Sequence, residues 1–225
     1  MLMRNGNWWT PKGTAGKSGD QIREENFSCI EPIKKAVAYC TKHENAIDVG
    51  TWIGDSTVLM AGLFTNVIGF EPHPIVHVCC EKNLQERGID NVAVYNIALS
   101  NENKLIDLHT GKSTFMGWVS DKDEKPKDIA VHNTQKVQSL YLDSYDFEDI
   151  DFIKIDVDSH EGYLLQGAQN FFETNSPVVL IEYKQRIILD RQPEDTPDAF
   201  ELLNSYGYSL KEKVEKADWV FTRDK

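Results

Sequence analysis

The chain has 225 residues and a formal net charge of −12, and its length suits one domain with a substantial hydrophobic core. Lysine and arginine are scattered among acidic residues without forming a basic patch, which argues against a nucleic-acid partner and an anionic membrane surface. No apolar run approaches the roughly 20 residues that span a bilayer, and the N-terminus lacks the apolar core of a signal peptide. We therefore expect a cytoplasmic protein.

Residues 1–44 are predicted to form an N-terminal arm and a helix that pack on the core. The first 27 residues are polar and contain glycine, so we expect them to be irregular. Ile33–His43 is predicted to be helical, because apolar residues recur there at helical spacing and Pro32 suits an early position in a helix.

From residue 45 to residue 225 the pattern predicts a single domain in which strands and helices alternate. Such alternation indicates an α/β fold, a mostly parallel sheet with helices on both faces. The predicted strands are Ala46–Val49, Val67–Phe70, Asn91–Ala98, Asp151–Val157 and Pro177–Tyr183. The predicted helices are Ser56–Phe64, Pro74–Arg87, Glu161–Phe172 and Pro197–Tyr206, and a C-terminal hairpin of Tyr208–Val214 and Trp219–Thr222 follows them.

The alternation is interrupted at about residues 101–145. Short β-like segments at Lys104–His109, Phe115–Val119 and Gln135–Tyr141 flank the charged run Asp121–Asp128. Because a compact domain rarely keeps a long structureless loop, we predict an inserted hairpin region with a loop near the functional site. A surface insertion without a function is the alternative.

The segment Ala46–Asp55, AIDVGTWIGD, reads as a buried strand that runs into a glycine-rich turn. Gly50 lets the backbone approach a ligand closely, and Gly54 allows a tight entry into the helix. A carboxylate at Asp48 would repel a pyrophosphate and attract a ligand that carries an ammonium group. Glu71 ends the next strand, where a carboxylate can accept both hydroxyl groups of a ribose. An adenosine joined to an ammonium-bearing chain is S-adenosylmethionine.

Two further positions complete the predicted cofactor site. Pro72 supports an extended chain after Glu71 and so gives the ligand an ordered wall. Ala98, at the tip of the third strand, could cover the adenine base. The alternatives are that the glycine motif serves packing, that Glu71 is a solvated loop acid, and that Ala98 belongs to the core.

A second dense cluster is Ile153–Glu161, IKIDVDSHE, at the carboxyl end of the fourth strand. Histidine suits general-base work near neutral pH, so His160 is the candidate base, with Asp156 and Asp158 as supporting carboxylates. Asp156 is also predicted to bind the cofactor, and it could contact the ligand or the backbone without doing chemistry. Asp158 or Ser159 could instead cap the following helix, and His160 could be a structural residue. Asp156 and Asp158, with Glu182, could also hold Mg²⁺, but the spacing is a weak signal and we expect no metal.

These segments resemble those of the FkbM-type S-adenosylmethionine-dependent methyltransferases. That family shows a DVGANIG-like segment, then FEP, ALS, IKIDVEGHE and LIE segments. Here they stand as Asp48–Gly54, Phe70–Pro72, Ala98–Ser100, Ile153–Glu161 and Leu180–Glu182, in the same order.

The resemblance implies a Rossmann-like class I methyltransferase fold and methylation of a hydroxyl group on a sugar, a glycan or a small metabolite. It implies that the first segment lines the methionine part of the cofactor and that Glu71 holds the ribose. Thr51 and Trp52 replace the common Ala-Asn, which makes the wall beside the cofactor bulkier. Asp158 and Ser159 replace Glu-Gly in the segment nearest the transferred methyl group.

Two other functions remain open from the sequence. The altered Asp158–Ser159 pair favours a domain that binds a cofactor or a protein partner without turnover. An NAD-dependent oxidoreductase is disfavoured by the carboxylate at Asp48 and by the missing third glycine. The sequence names neither the acceptor nor the oligomeric state.

Overall fold

The structure, a computed structural model, describes residues 1–14, 16–111, 117–120, 133–184, 188 and 195–223. The N-terminal segment is ordered, which differs from the expectation that residues 1–27 are irregular. It forms a hairpin of β1 (Leu2–Asn5) and β2 (Trp8–Pro11), followed by α1 (Gly16–Arg23). The physical reason is an aromatic anchor: the ring of Trp8 packs edge-on against Phe27 at 5.0 Å and under the guanidinium of Arg87 at 3.8 Å.

The following elements alternate between strand and helix. They are α2 (Ile30–Val37), β3 (Asn45–Val49), α3 (Asp55–Ala61), β4 (Asn66–Phe70), α4 (Pro74–Glu86) and β5 (Val92–Tyr95). After an inserted region come β10 (Ile150–Ile155), α5 (Glu161–Gln166), α6 (Gln169–Thr174), β11 (Val178–Glu182), α7 (Ala199–Ser205), β12 (Tyr208–Lys213) and β13 (Asp218–Arg223). No helix in the described ranges is long and apolar enough to cross a membrane.

The central sheet has seven strands in the order β12-β13-β11-β10-β3-β4-β5. The five strands from β11 to β5 are parallel, and β13 runs antiparallel between β11 and β12. The C-terminal hairpin is therefore present, although its antiparallel strand lies inside the sheet and β12 forms the edge. Apolar clusters on both faces of the sheet explain the nearly continuous apolar character of its inner strands.

The inserted region forms a separate four-stranded sheet in the order β6-β9-β7-β8. Its strands are β6 (Ala98–Leu99), β7 (Leu105–Thr110), β8 (Gly117–Ser120) and β9 (Asn133–Leu140). They enclose a small apolar cluster that includes Ile106, Leu108 and Val137. The predicted charged run Asp121–Asp128 lies outside the described residues.

Two predicted elements are divided in the structure. The helix expected over Glu161–Phe172 separates into α5 and α6, because the backbone at Gly167 lies against Ser100: a Cβ at Gly167 would be 2.1 Å from the Ser100 carbonyl oxygen. The third strand ends at Tyr95, and Ala98 leaves the central sheet to pair with Ser139 in the inserted one. The chain therefore changes sheets at the point where the cofactor site was expected.

Candidate active site

A cavity of about 400 Å³ lies at the carboxyl ends of the central parallel strands. Ligand sites of open α/β sheets occur at this edge, and the volume falls within the usual range for small-molecule sites. Side chains that follow β3, β4, β10 and β11 line it, together with residues from α1 and the inserted sheet. Most residues predicted for the site therefore meet in one place.

The turn after β3 is built on two glycines in left-handed backbone conformations. Gly50 has φ +86° and lines the cavity, and a Cβ there would lie 1.9 Å from the carbonyl oxygen of Asp156. Gly54 has φ +95°, and a Cβ there would lie 2.9 Å from Sγ of Cys80. The two turns that follow β3 and β10 are thus in direct contact, and a larger residue at Gly50 would push them apart.

Asp48 lies below the cavity and does not line it, which differs from the expectation of direct contact with the ligand. It is fully buried, and its Oδ2 accepts hydrogen bonds of 2.7 Å from Ser56 and from Thr57 at the start of α3. Its Oδ1 is 3.6 Å from Nζ of Lys154. Asp48 therefore holds α3 and a lysine in position.

Thr51 and Trp52 are the two bulky residues of this turn; Thr51 is buried, and Trp52 lines the cavity. Thr51 has no exposed surface, so it belongs to the support of the turn. Trp52 lines the cavity, and its backbone has φ +48°. Its backbone N–H donates a 3.0 Å hydrogen bond to Oε2 of Glu71. The unusual tryptophan is thus joined to the acid predicted to hold a ribose.

Glu71 lines the cavity at the end of β4 and is 8% exposed. Its Oε1 accepts a 2.8 Å hydrogen bond from the backbone N–H of His73. Burial, which these hydrogen bonds only partly offset, raises the pKa of Glu71 to about 8. Nδ2 of Asn96 donates to the carbonyl oxygens of Glu71 and Pro72 at 2.8 and 2.9 Å, which fixes the lining segment.

The three residues predicted for catalysis, Asp156, Asp158 and His160, all line the cavity after β10. His160 is 6% exposed, and its Nε2 is 2.9 Å from Oγ of Ser100. This contact joins the ALS segment to the IKIDVDSHE segment, and Ser100 was not predicted as a site residue. Asp158 has φ +50° and Ser159 has φ +83°, so the backbone turns sharply just before His160.

Two lysines of the wall, Lys154 and Lys184, were missed by the sequence interpretation, and Glu182, considered there only as a metal ligand, lies beside them. Nζ of Lys154 donates a 3.2 Å hydrogen bond to Oδ2 of Asp156, and Lys184 pairs with Glu182. The sequence did contain a signal for Lys154: it is a lysine within the apolar strand segment FIKI. Its position in the strand, opposite Asp48 on the neighbouring strand, explains why it can be buried.

Burial and the charges of neighbouring residues together set the ionisation of these groups. Burial opposes ionisation of Asp156, but the charges of Lys154 and Lys184 outweigh it, so the pKa of Asp156 lies below its usual value. Burial, and next the charge of Asp156, raise the pKa of Glu182 to about 8. Burial also opposes the charged form of Lys154, yet Asp156 and Asp48 outweigh it and raise its pKa.

Two elements outside the central sheet complete the wall. Leu108 and Val119 of the inserted sheet lie on the cavity beside Ala98, and Ser18 and Gln21 extend to it from α1. The contribution of α1 was missed because the N-terminal segment was expected to be irregular. In the part of the chain that the structure describes, no three histidine, cysteine or acidic side chains are arranged to hold a metal ion.

The fold is that of S-adenosylmethionine-dependent methyltransferases. The structure aligns with magnesium protoporphyrin IX methyltransferase from Synechocystis PCC 6803, solved with bound S-adenosylmethionine, at a TM-score of 0.56 and 11% identity over 95% of this chain and 87% of that one. Ribosomal protein L11 methylase from Lactobacillus delbrueckii subsp. bulgaricus aligns at a TM-score of 0.51 and 12% identity, over 95% and 83% of the two chains. These similarities concern the fold alone.

Residues 48–210 match the family profile described as Methyltransferase FkbM domain, and the chain belongs to that family of S-adenosylmethionine-dependent methyltransferases. Methyltransferase FkbM from Methylobacillus flagellatus KT aligns at a TM-score of 0.52 and 16% identity over 93% of this chain. The present chain covers 56% of the length of that protein. No curated protein matches the chain. The NAD-dependent alternative is not retained.

Proposed function

We propose that the protein transfers a methyl group from S-adenosylmethionine to a hydroxyl group of a sugar, a glycan or a small metabolite. One observation carries the proposal: a single cavity is lined by Glu71 at the end of β4 and by Asp156, Asp158 and His160 after β10. The acid predicted to hold the ribose and the candidate base therefore line the same cavity.

The residues of the cavity fit this cofactor. The carboxylate of Glu71 has two oxygens, each with lone-pair capacity beyond its one backbone hydrogen bond, for the two ribose hydroxyls. Apolar side chains of Phe70, Ile97 and Ala98 line the adjacent wall and suit the adenine ring. Pro72, held by Asn96, supports the edge of the same region.

The reaction needs a base on the acceptor side. The sulfonium group supplies an electrophilic methyl carbon; the acceptor oxygen forms a bond to it, the carbon–sulfur bond breaks, and the hydroxyl proton passes to a base. His160 is our candidate for that base, and Asp156 and Asp158 would orient the acceptor through hydrogen bonds. Oγ of Ser100, in contact with Nε2 of His160, would fix the orientation of the ring.

A second candidate function is cofactor binding without turnover. Asp158 and Ser159 both adopt left-handed backbone conformations, although neither is glycine. These two residues replace the Glu-Gly of the family pattern, in the segment that the resemblance places nearest the transferred methyl group. Partner or cofactor binding would then be the activity of the domain.

A methyl-transfer assay distinguishes these functions. Methyl-labelled S-adenosylmethionine is incubated with a panel of neutral monosaccharides, oligosaccharides and polyols, and S-adenosylhomocysteine release and labelled methyl ethers are measured. We expect His160→Ala to lower the rate about 10²- to 10⁴-fold at unchanged cofactor affinity. His43→Gln, at an exposed position away from the cavity, is the control. Tight cofactor binding without methyl ethers would support the second candidate.

A further inference from the structure

Lys154 has a buried ammonium group with unused hydrogen-bonding capacity. The residue is 6% exposed and lines the cavity. An ammonium group carries three donors, and within the described ranges Nζ makes one hydrogen bond, the 3.2 Å contact with Oδ2 of Asp156. The 3.6 Å separation from Oδ1 of Asp48 is an ion pair longer than a hydrogen bond.

The neighbouring carboxylate of Asp48 also has unused hydrogen-bonding capacity. Among the described residues, Oδ1 of Asp48 accepts no hydrogen bond, although it is completely buried. Lys154 thus lies closer to Asp156, at the cavity wall, than to Asp48 behind it. Buried polar groups are expensive to leave unpaired, so donors on a cavity wall indicate a ligand with acceptor oxygens.

The order of strands places the ammonium group of Lys154 where the methionine end of the cofactor would lie. Glu71 directly follows β4, and β3 lies between β4 and β10, so the end of β10 is two strand spacings, roughly 10 Å, from the predicted ribose position. S-adenosylmethionine carries an ammonium, a carboxylate and a sulfonium beyond its ribose. Most charged residues of this wall are acidic. Among the described residues that line the cavity, Lys154 and Lys184 carry a permanent positive charge and could bind the carboxylate of the cofactor.

We propose that Nζ of Lys154 binds the carboxylate of the methionine end of S-adenosylmethionine. Lys184 is the less suitable cation, because it is more exposed and already pairs with Glu182. Asp48 becomes a positioning residue that keeps Lys154 near the wall. The inference rests on the use of S-adenosylmethionine in the proposed function and does not depend on which acceptor is methylated.

The test compares S-adenosylmethionine with decarboxylated S-adenosylmethionine, which lacks only the carboxylate, by titration calorimetry. We expect wild type to bind the complete cofactor roughly 10- to 100-fold more tightly, as for a hydrogen-bonded charged group. General attraction by the acidic wall predicts the opposite, since removal of the carboxylate makes the ligand more positive. Lys154→Met should reduce the preference to about 1-fold.

Two matched lysine variants serve as comparisons. Lys184→Met tests the other cation of the wall, and Lys42→Met tests an exposed lysine; both should keep the wild-type preference. If Lys154→Met does not fold, Asp48→Asn/Lys154→Met removes one buried charge of each sign and should show the same loss of preference.

The outcomes distinguish failure of the role of Lys154 from failure of the proposed function. A wild-type preference that survives Lys154→Met, or one that disappears in Lys184→Met, overturns the role of Lys154. Equal or tighter binding of the decarboxylated compound by wild type also overturns it. If wild type binds neither compound, the proposed function fails together with this inference.

Discussion

Ser159 occupies a backbone conformation that favours glycine. Its φ is +83°, and Asp158 before it has φ +50°. The family segment carries glycine at the position of Ser159, where a residue without Cβ adopts this conformation at little cost. The left-handed region costs other residues about 1 kcal/mol or more. The strain lies next to His160, in the segment predicted for catalysis.

We expect Ser159→Gly to raise the free energy of unfolding by about 1 kcal/mol, because it relieves this strain. Urea denaturation at equilibrium measures the change. Ser205→Gly is the matched control: Ser205 ends α7 with ordinary helical geometry, so the same substitution should destabilise the protein by roughly 0.5–1 kcal/mol. A destabilising effect at both positions would contradict the assignment of strain to Ser159.

Residue chemistry at the wall was only partly predictable from the sequence. Glu71, Asp156, Asp158 and His160 could be found because each follows a recognisable buried strand, and parallel strands present their carboxyl ends at one edge. The burial of Asp48 could not be predicted, because it depends on the hydroxyl groups of the next helix, which take up one of its oxygens.

At the scale of elements, periodicity located the central strands and the helices between them. Strands β3, β4 and β11 begin and end within one residue of the predicted bounds, since apolar runs flanked by turn residues are distinctive. The split between α5 and α6 was not predictable, because its cause is the close approach of Gly167 to Ser100 from another part of the chain. Periodicity within one segment does not report such contacts.

The N-terminal hairpin and the inserted sheet show the same limit. The ring of Trp8 is buried by Phe27 and Arg87, and the sequence offered only two adjacent tryptophans as a signal. The short β-like pieces of the insertion were recognisable, whereas their pairing, β9 between β6 and β7, was not. Long-range pairing depends on packing that a local pattern does not encode.

At the scale of the whole molecule, buried carboxyl groups make the folded state less stable as the pH rises. Among the described residues, burial raises the pKa of Asp48, and it raises the pKa to about 8 for Glu71 and Glu182, about 7 for Glu161, and about 6 for Asp55 and Asp218. For Glu71 the ordinary value is 4.5. Between the two values the folded protein holds a proton that the unfolded chain has lost, so folding becomes less favourable as pH rises.

We therefore expect the free energy of unfolding to fall between about pH 5 and about pH 8, because over this range the unfolded chain loses these protons before the folded protein does. The net charge of −12 acts in the same direction through self-repulsion. Thermal and urea denaturation across this range measure the trend. Glu71→Gln should flatten the slope, and Glu148→Gln, at an exposed position, should leave it unchanged. Stability that rises over this interval would contradict the burial of these carboxyl groups.

The central claim is that this cavity binds S-adenosylmethionine with Glu71 on the ribose. Titration calorimetry of the cofactor into wild type, Glu71→Gln and Glu148→Gln tests it most directly. The account predicts saturable binding by wild type and by Glu148→Gln, and affinity weaker by about tenfold or more in Glu71→Gln, because the amide offers one acceptor oxygen to the two ribose hydroxyls. Absence of binding by wild type, or equal affinity in Glu71→Gln, would contradict it.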